Sequence, residues 1–353
     1  MKQNYFLKIS KFLTLCLFFN AILLSAQTVT TVATGFNFPY GLTTDSNGKI
    51  YISDSGNNLV KRMDSDGQNL ITLGSGHDSP MGIAVDGSGN IYVTEIGNNR
   101  IRKISADGQS TVTFANTGFA SPFGLAIDGS GNFYVANSGS NNITKKDASG
   151  GNGVNLGSGF SSPYGVAVDA NGNIYVADKG NNAIKKMDAN GQNIVTLGTG
   201  FNGPRGVAID SSGRIYVADY GNRSVKRMNS TGGNITVLAS SVDASCIVLD
   251  GSGNLYFTDA QGSGSIKKIT ASSLSATEVA KTQIAVFPNP AKDFVTISNL
   301  AKGADVALFD MTGKLLYQTR SFGATITINT SSYKNGVYLV KVDGQAMKLL
   351  IAK

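Results

Sequence analysis

The stretch Pro163–Lys186, PYGVAVDANGNIYVADKGNNAIKK, is one of several near copies in the 353-residue chain. The copies begin at a shared proline, replaced by alanine in the last one: Pro39, Pro80, Pro122, Pro163, Pro204 and Ala244. These positions lie 40 to 42 residues apart. An all-β period of this length is typical of propeller blades. The repeat therefore predicts a ring of packed sheets.

Each copy contains four segments with the pattern of short strands. GVAVD (Gly165–Asp169) alternates small residues with valine, as expected of an innermost strand crowded against a central channel. NIYVAD (Asn173–Asp178) is apolar on both faces, which suits a sheet packed between two others. AIKKMD and NIVTLG follow as third and outer strands, and every intervening turn contains Gly or Asn. The chain is therefore predicted to be all-β.

The ends of the repeat region predict how the ring closes. No clear outer strand follows the last third strand, SIKKIT (Ser265–Thr270), but TVTTVATG (Thr28–Gly35) before the first copy resembles one. We predict a six-bladed propeller over residues 27–271, closed by this N-terminal strand, because such closure leaves no unpaired sheet edge.

The repeated unit resembles the NHL repeat, and the resemblance covers all six copies through Pro-x-Gly-x-Ala-x-Asp, Ile-Tyr-Val-x-Asp and Gly-Asn-x-x-Ile-Lys-Lys. It implies an NHL-type β-propeller. Proteins of this kind are known as binding platforms, and a few related propellers are lyases or lactone-hydrolysing enzymes, so the resemblance predicts the fold and leaves the function open.

The two ends of the chain predict export. Residues 1–26 have a Lys-bearing start, an apolar run and a small Ser-Ala pair, which indicate a signal peptide. The alternative is a membrane anchor, but the apolar run is too short for one. No other segment is predicted to span a membrane in the mature chain. Residues 272–281 are a Ser-, Ala- and Thr-rich linker. Residues 282–353 contain about seven short alternating strands and predict a small β-sandwich.

This tail resembles the C-terminal sorting domain of the type IX secretion system of Bacteroidetes through FPNP, DMTGK, NGVYLVKV and its basic terminus. A generic adhesive module is the alternative. The resemblance implies type IX machinery as a partner, and a product that is secreted or attached to the outer-membrane surface.

The formal net charge of +7 comes from the two ends of the chain. Residues 1–26 carry three Lys and no acid, residues 281–353 carry nine basic and four acidic residues, and the rest carries 18 basic and 19 acidic residues. Because the propeller region is neutral, we predict no nucleic-acid partner.

Two sets of positions vary among copies whose neighbours hardly vary, and the predicted strand order brings both to one face at the channel mouth. The residues after the proline position are Tyr40, Met81, Phe123, Tyr164, Arg205 and Ser245. The residues after the acid that ends the second strand are Ser55, Ile96, Ser138, Lys179, Tyr220 and Ala260. We predict a ligand-binding surface there, with a polar corner. Its residues are Tyr40, Met81, Phe123, Tyr164, Arg205, Lys179 and Tyr220. The alternative is that repeats drift wherever packing permits.

Other repeated polar residues favour structure over chemistry. The acids that end the second strands could form a ring around Ca²⁺. Nearly every copy has such an acid, followed by a turn, and this favours local hydrogen bonding to the backbone instead. The residues at this position are Asp54, Glu95, Asn137, Asp178, Asp219 and Asp259. The Asp residues that open DGSG-type turns favour turn chemistry in the same way. The third strands carry paired bases, which could form a cationic ring that meets polyanions. Alternation sends the two members of each pair to opposite sheet faces, which favours locally paired or solvated bases instead. The pairs are Lys61–Arg62, Arg102–Lys103, Lys145–Lys146, Lys185–Lys186, Lys226–Arg227 and Lys267–Lys268.

Catalytic residues are scarce. Amidating lyases with this blade pattern use several His on zinc, and streptogramin lyases also need His, whereas this chain has one, His77. We assign no catalytic residue, no metal ligand and no cofactor, with Ca²⁺ kept as an alternative. The predicted function is a secreted or cell-surface protein that binds a glycan, peptide or protein at the channel mouth. The alternatives are a metal-dependent, lactonase-like hydrolase or lyase that uses the central acids, and a scaffold in a surface layer.

Overall fold

The computed structural model describes residues 28–262, 264–271, 285–300, 303–343 and 345–353. The predicted signal peptide (1–26) and linker (272–281) lie outside these residues. The chain divides into two compact units, Met1–Ser275 and Ala276–Lys353. Both are built from antiparallel strands, so the all-β prediction is confirmed.

The described part of the first unit contains six four-stranded sheets. Strand β1 (Val29–Thr34) comes first. The first sheet has β2 (Pro39–Thr44), β3 (Ile50–Asp54), β4 (Leu59–Met63) and β5 (Ile71–Leu73). The second has β6 (Pro80–Val85), β7 (Ile91–Glu95), β8 (Arg100–Ile104) and β9 (Thr111–Ala115). The third has β10 (Pro122–Ile127), β11 (Phe133–Asn137), β12 (Asn142–Lys146) and β13 (Val154–Leu156). The fourth has β14 (Pro163–Val168), β15 (Ile174–Asp178), β16 (Ala183–Met187) and β17 (Val195–Leu197).

The fifth sheet has β18 (Pro204–Ile209), β19 (Ile215–Asp219), β20 (Ser224–Met228) and β21 (Thr236–Ser240). The sixth has β22 (Ile247–Leu249), β23 (Leu255–Asp259), β24 (Ser265–Ile269) and, as its outer strand, β1. Short 3₁₀ turns lie at Ser55–Asn57, Lys179–Asn181 and Tyr220–Asn222.

The six innermost strands contact one another in a closed cycle, in the order β2, β6, β10, β14, β18 and β22, with β22 against β2. Strand β1 pairs antiparallel with β24, with Val29 opposite Ile269 and Thr34 opposite Ser265. The first and last segments of the repeat region are therefore joined by backbone hydrogen bonds.

Burial follows the strand position within each sheet. Every residue of the second strands, such as β15, is buried, as expected of sheets stacked on both faces. The innermost strands approach closely at their glycines: a Cβ on Gly124 would lie 2.4 Å from the carbonyl oxygen of Tyr164 on the next sheet. The small residues of this strand type are therefore required by the narrow channel.

The sixth unit departs from this rule at Cys246, which stands where the other five have Gly. Strand β22 begins at Ile247, whereas the other five innermost strands begin at the proline two residues before the glycine. The Cys246 thiol instead donates a hydrogen bond to the carbonyl of Leu42, with a distance of 3.6 Å, and burial raises its pKa to about 11.

The described part of the second unit has two sheets around one apolar core. Its strands are β25 (Ala285–Phe287), β26 (Phe294–Ser298), β27 (Asp305–Asp310), β28 (Leu315–Arg320), β29 (Thr325–Asn329), β30 (Gly336–Val342) and β31 (Gln345–Ile351). One sheet has the order β25-β26-β29 and the other β28-β27-β30-β31. Val295 and Ile297 of the first pack with Val306, Val340 and other residues of the second.

Within the described residues, no helix is long and apolar enough to span a membrane.

Candidate functional site

A cavity of about 280 Å³ occupies the centre of the first unit and is lined by all six innermost strands. Most of its wall is backbone and small or aliphatic side chains, as the Gly and Ala content of these strands dictates. Tyr40, Tyr164, Arg205 and Ser245 line it where the strands begin. The polar groups of the cavity are therefore concentrated at the channel mouth.

Three predicted aromatic residues from different sheets meet at this mouth. The ring centroids of Phe123 and Tyr164 are 3.9 Å apart in a stacked arrangement, and Tyr40 lies 5.5 Å from Phe123 and 6.2 Å from Tyr164. The Tyr40 hydroxyl is buried and has no hydrogen-bond partner within the described ranges. Burial raises the pKa of Tyr40, although the nearby Arg205 charge opposes the shift. The three rings form a surface that spans the first, third and fourth sheets.

Two cations lie beside this aromatic surface. Lys179 Nζ lies 4.5 Å from the Tyr164 ring centroid and donates a hydrogen bond to its hydroxyl at 3.3 Å. The Arg205 guanidinium lies 3.3 Å from the Tyr220 centroid and 5.8 Å from that of Tyr164, and its Nη1 donates to Ser245 Oγ at 3.2 Å. Lys179 and Tyr220 open 3₁₀ turns directly after β15 and β19, which fixes their place at the mouth.

The contacts thus connect six of the seven predicted residues: Tyr40, Phe123, Tyr164, Lys179, Arg205 and Tyr220. The seventh, Met81, is held by Ser55 of the preceding sheet, with Oγ 3.8 Å from Sδ. Of the seven predicted residues, Tyr40, Tyr164 and Arg205 line the cavity itself, whereas Met81, Phe123, Lys179 and Tyr220 do not.

The buried acids that end the second strands are fixed by ion pairs. Asp178 is typical: its carboxylate accepts from the backbone N–H of Ser161 at 2.7 Å, from Asn181 Nδ2 at 2.7 Å and from Lys185 Nζ at 2.7 Å. Equivalent lysine pairs are Lys61–Asp54, Lys226–Asp219 and Lys267–Asp259. These pairs occupy carboxylate oxygens that a cation would need. The arrangement does not fit the Ca²⁺ alternative.

The sequence predicted locally paired or solvated bases but did not identify this acid as the partner of the lysine, although one signal for the pairing was present. In the third sheet the neutral Asn137 stands at the acid position and Thr144 at the lysine position, and Asn137 Nδ2 donates a 2.6 Å hydrogen bond to Thr144 Oγ1. The predicted pair Lys145–Lys146 is therefore wrong by one residue. The strand register places Thr144 and Lys145 at the positions that Lys185 and Lys186 occupy in the fourth sheet. The joint change of acid and lysine to two neutral residues is the signature of a direct contact.

The second sheet carries a third version of the same site. Its acid, Glu95, is bonded to His77 Nδ1 at 3.0 Å and to Arg100 Nε at 2.7 Å, and all of the Glu95 side chain is buried. Burial opposes ionisation, but these hydrogen bonds hold the pKa of Glu95 below its ordinary value. His77 stands where four other copies have phenylalanine and the sixth has Ser241, and it does not line the cavity.

The Asp residues that open the DGSG-type turns accept hydrogen bonds within those turns, as predicted. Asp169 accepts from the backbone N–H groups of Asn171 and Asn173, both at 2.9 Å, and from the Tyr175 hydroxyl at 3.2 Å. Burial opposes the shift, but these hydrogen bonds lower the pKa of Asp169. Within the described ranges, no group of three or more His, Cys, Asp or Glu side chains is arranged to hold a metal ion.

Comparison with known proteins gave two family matches. The model described as the virginiamycin B lyase family matches residues 25–306, and the one described as a secretion system C-terminal sorting domain matches residues 285–352. The second match supports the predicted sorting tail and indicates secretion to the cell surface or the outside of the cell. No curated protein matches the sequence significantly.

Solved structures resemble the chain in fold. A streptogramin B lyase has 18% identity and a TM-score of 0.53, and the match covers 69% of this chain and 87% of that one. A gluconolactonase from Xanthomonas campestris has 17% identity and a TM-score of 0.60, covering 68% and 89%. The virginiamycin B lyase from Staphylococcus aureus has 13% identity and a TM-score of 0.52, covering 92% and 99%.

The NHL-type resemblance is a coarser description of this class of propeller than the first family match. Since that match spans most of the chain, the protein belongs to the virginiamycin B lyase family.

Proposed function

We propose that the protein is an exported binding protein whose channel-mouth face holds a glycan, peptide or protein ligand. The single observation that supports this best is the contact network of Tyr40, Phe123, Tyr164, Arg205 and Tyr220 at the open end of the cavity. Aromatic and arginine side chains clustered at the mouth of a concave site are typical of ligand recognition.

The proposal includes the organisation of the chain. Residues 1–26 act as a signal peptide, residues 27–271 form a six-bladed propeller closed by the strand that follows the signal peptide, and residues 282–353 form a β-sandwich that directs export through the type IX machinery. The closed cycle of inner strands and the pairing of β1 with β24 support the propeller. The two sheets that share one core support the sandwich.

The binding proposal is tested with a glycan and peptide array probed with the purified protein, followed by calorimetry on the ligands that it retains. Phe123→Ala and Tyr164→Ala should each weaken binding about tenfold or more, because they remove stacked contact surface. Val112→Ala, which changes an exposed outer-strand residue, is the control. Ligand binding that survives both aromatic substitutions would show that the ligand binds elsewhere.

A metal-dependent hydrolase or lyase is the second candidate, because of the family match and the lyase and gluconolactonase structures with this fold. The described residues favour it less, since the central carboxylates are already paired with lysine or arginine. Titration of Ca²⁺, Mg²⁺ and Zn²⁺ by calorimetry separates the two candidates. Tight one-to-one binding that Asp178→Asn and Asp219→Asn abolish would support the enzyme.

A further inference from the structure

Within the described part of the chain, the two cations at the channel mouth, Lys179 and Arg205, have no acidic partner. Among the described residues, no ion pair joins Lys179 or Arg205 to a carboxylate, whereas the acids that end the second strands are paired within their own sheets. An uncompensated pair of cations around an aromatic surface produces a positive potential there.

Acids also occur on loops of the same face, but other groups engage them. Asp243 forms an ion pair with Arg223 at 2.9 Å. Asp78 accepts a hydrogen bond from Asn98 Nδ2 at 3.1 Å, and both lie on loops outside the residues that line the cavity. The charge beside the mouth aromatics themselves is therefore positive.

Neighbouring side chains hold the Arg205 guanidinium in one orientation. Its stacking on Tyr220 and its hydrogen bond to Ser245 restrict the planar group, so little side-chain entropy remains to be lost on binding. Its Nε is buried and has no hydrogen-bond partner among the residues that the structure describes. Unpaired buried donors are rare in folded proteins and are costly, so each calls for an explanation.

A second unpaired donor lines the same cavity. The hydroxyl of Tyr40 is also buried without a partner, and the Arg205 charge acts on it strongly enough to oppose the rise in the pKa of Tyr40. A ligand group with two acceptor oxygens and a negative charge would satisfy both donors. A carboxylate has this chemistry.

The surroundings distinguish between carriers of a carboxylate. Tyr40, Phe123 and Tyr164 form an apolar aromatic cluster, in which Phe123 and Tyr164 stack on each other and Lys179 lies over the Tyr164 ring. The outer surface of such a cluster suits the apolar C–H face of a sugar ring. A cavity of about 280 Å³ holds a group of the size of one sugar residue and lies at the small end of the range for ligand pockets. An extended peptide needs a strand edge or a long groove, and the innermost strands converge on the channel instead.

We propose that the channel mouth binds an acidic saccharide, with the carboxylate of one uronic acid residue on Arg205, Lys179 and the Tyr40 hydroxyl and its ring against the aromatic cluster. This proposal rests on the proposed binding function and names its ligand class.

The test is calorimetry of the purified protein with trigalacturonate and with the neutral galactose trisaccharide of the same linkage. The acidic probe should bind about ten- to a hundredfold more tightly, as expected for charge-assisted hydrogen bonds, and its affinity should fall as salt is raised. Arg205→Gln should remove most of this preference. Lys179→Gln should reduce affinity about two- to tenfold.

Two further variants serve as a control for charge removal and as a conservative substitution at Arg205. Arg223→Gln removes a positive charge that is already paired with Asp243 and should leave affinity within about twofold. Arg205→Lys keeps the charge but loses the planar fork and should give an intermediate affinity if Arg205→Gln proves unstable.

Equal affinity for the acidic and neutral probes, no binding of either, or unchanged trigalacturonate binding in both Arg205→Gln and Lys179→Gln would overturn the proposal. If the array then yields a different ligand that Phe123→Ala releases, the binding function stands and the ligand class is wrong. If the array yields none, the binding function fails as well.

Discussion

The ion pair between Lys185 and Asp178 can be tested against the neutral version of the same site that the chain already contains. The perturbation is a cycle of three variants: Lys185→Thr, Asp178→Asn and the double substitution. The double variant reproduces the combination of Asn137 and Thr144 in the third sheet.

The structure sets the expected magnitudes. The Asp178 side chain is 0% exposed and that of Lys185 is 14% exposed, so Lys185→Thr leaves a buried carboxylate that keeps two hydrogen bonds. Losing one partner of a buried pair costs about 3 to 5 kcal/mol; the retained bonds lower our expectation to about 2 to 4 kcal/mol. Asp178→Asn should cost about 1 to 2 kcal/mol, because the amide oxygen still accepts and Lys185 still donates to the Gly159 carbonyl.

The double variant should cost about 1 kcal/mol. One interaction is lost without replacement: Lys185 Nζ lies 5.2 Å from the Phe160 ring centroid, a cation–π contact of about 0.5 to 1 kcal/mol. In the third sheet, Lys146 supplies this contact from two residues further along, with its Nζ 5.7 Å from the Phe119 centroid. The coupling energy should therefore be about 2 to 5 kcal/mol.

The assay is urea unfolding at pH 7 followed by circular dichroism, because the chain contains no Trp. The matched control is the exposed pair Arg223–Asp243, with side chains 57% and 28% exposed, where Arg223→Gln should cost less than about 1 kcal/mol. The reasoning is refuted if Lys185→Thr costs no more than this control, or if the double variant costs the sum of the two single ones.

Three other predictions concern the frame around the site. Gly124→Ala should destabilise the protein by about 1 to 3 kcal/mol in the same assay, because its Cβ would lie 2.4 Å from the Tyr164 carbonyl oxygen; Gly129→Ala, with nothing within 4 Å of its Cβ, is the control, and equal effects would contradict the reasoning. The lowered pKa of Glu95 predicts stability that is complete above about pH 4.3 and is lost as the pH falls through the lower folded value; Glu95→Gln should flatten this decline in acid unfolding, and an unchanged slope would count against it. Deletion of Val29–Thr34 should expose the edge of β24 and lower the melting temperature with aggregation on heating, which light scattering would detect; an unchanged melting temperature would show that β1 does not stabilise the ring.

The strands and turns could be predicted because each has a short residue pattern with a physical cause, and that pattern recurs in every copy. Alternation of small and branched residues marks an innermost strand, and an Asp four residues before an Asn in DANGN marks the turn in which Asp169 bonds the backbone N–H of Asn173. Both are local in the sequence. Six copies then average out the ambiguity that any single short apolar run would leave.

The ion pairs could not be predicted so readily, because they join different elements. Asp178 bonds the N–H of Ser161, which lies 17 residues earlier, and Lys185 on the next strand. The alternation rule places each base of a pair on one sheet face but does not identify its partner. The partner shows only where both members change together, as at Asn137 and Thr144.

The same comparison explains why the mouth residues, rather than the acids, distinguish this protein. The acid position tolerates three chemistries, Asp with Lys, Asn with Thr, and Glu with His and Arg, and each joins the second strand to a neighbouring element. Variation there conserves a structural role. At the position after the proline, the chain uses Tyr, Met, Phe, Arg and Ser, which do not substitute for one another in any common contact. Their differences bring rings and cations together around one opening, and an arrangement that is asymmetric around a symmetric ring is what recognition of a single ligand requires.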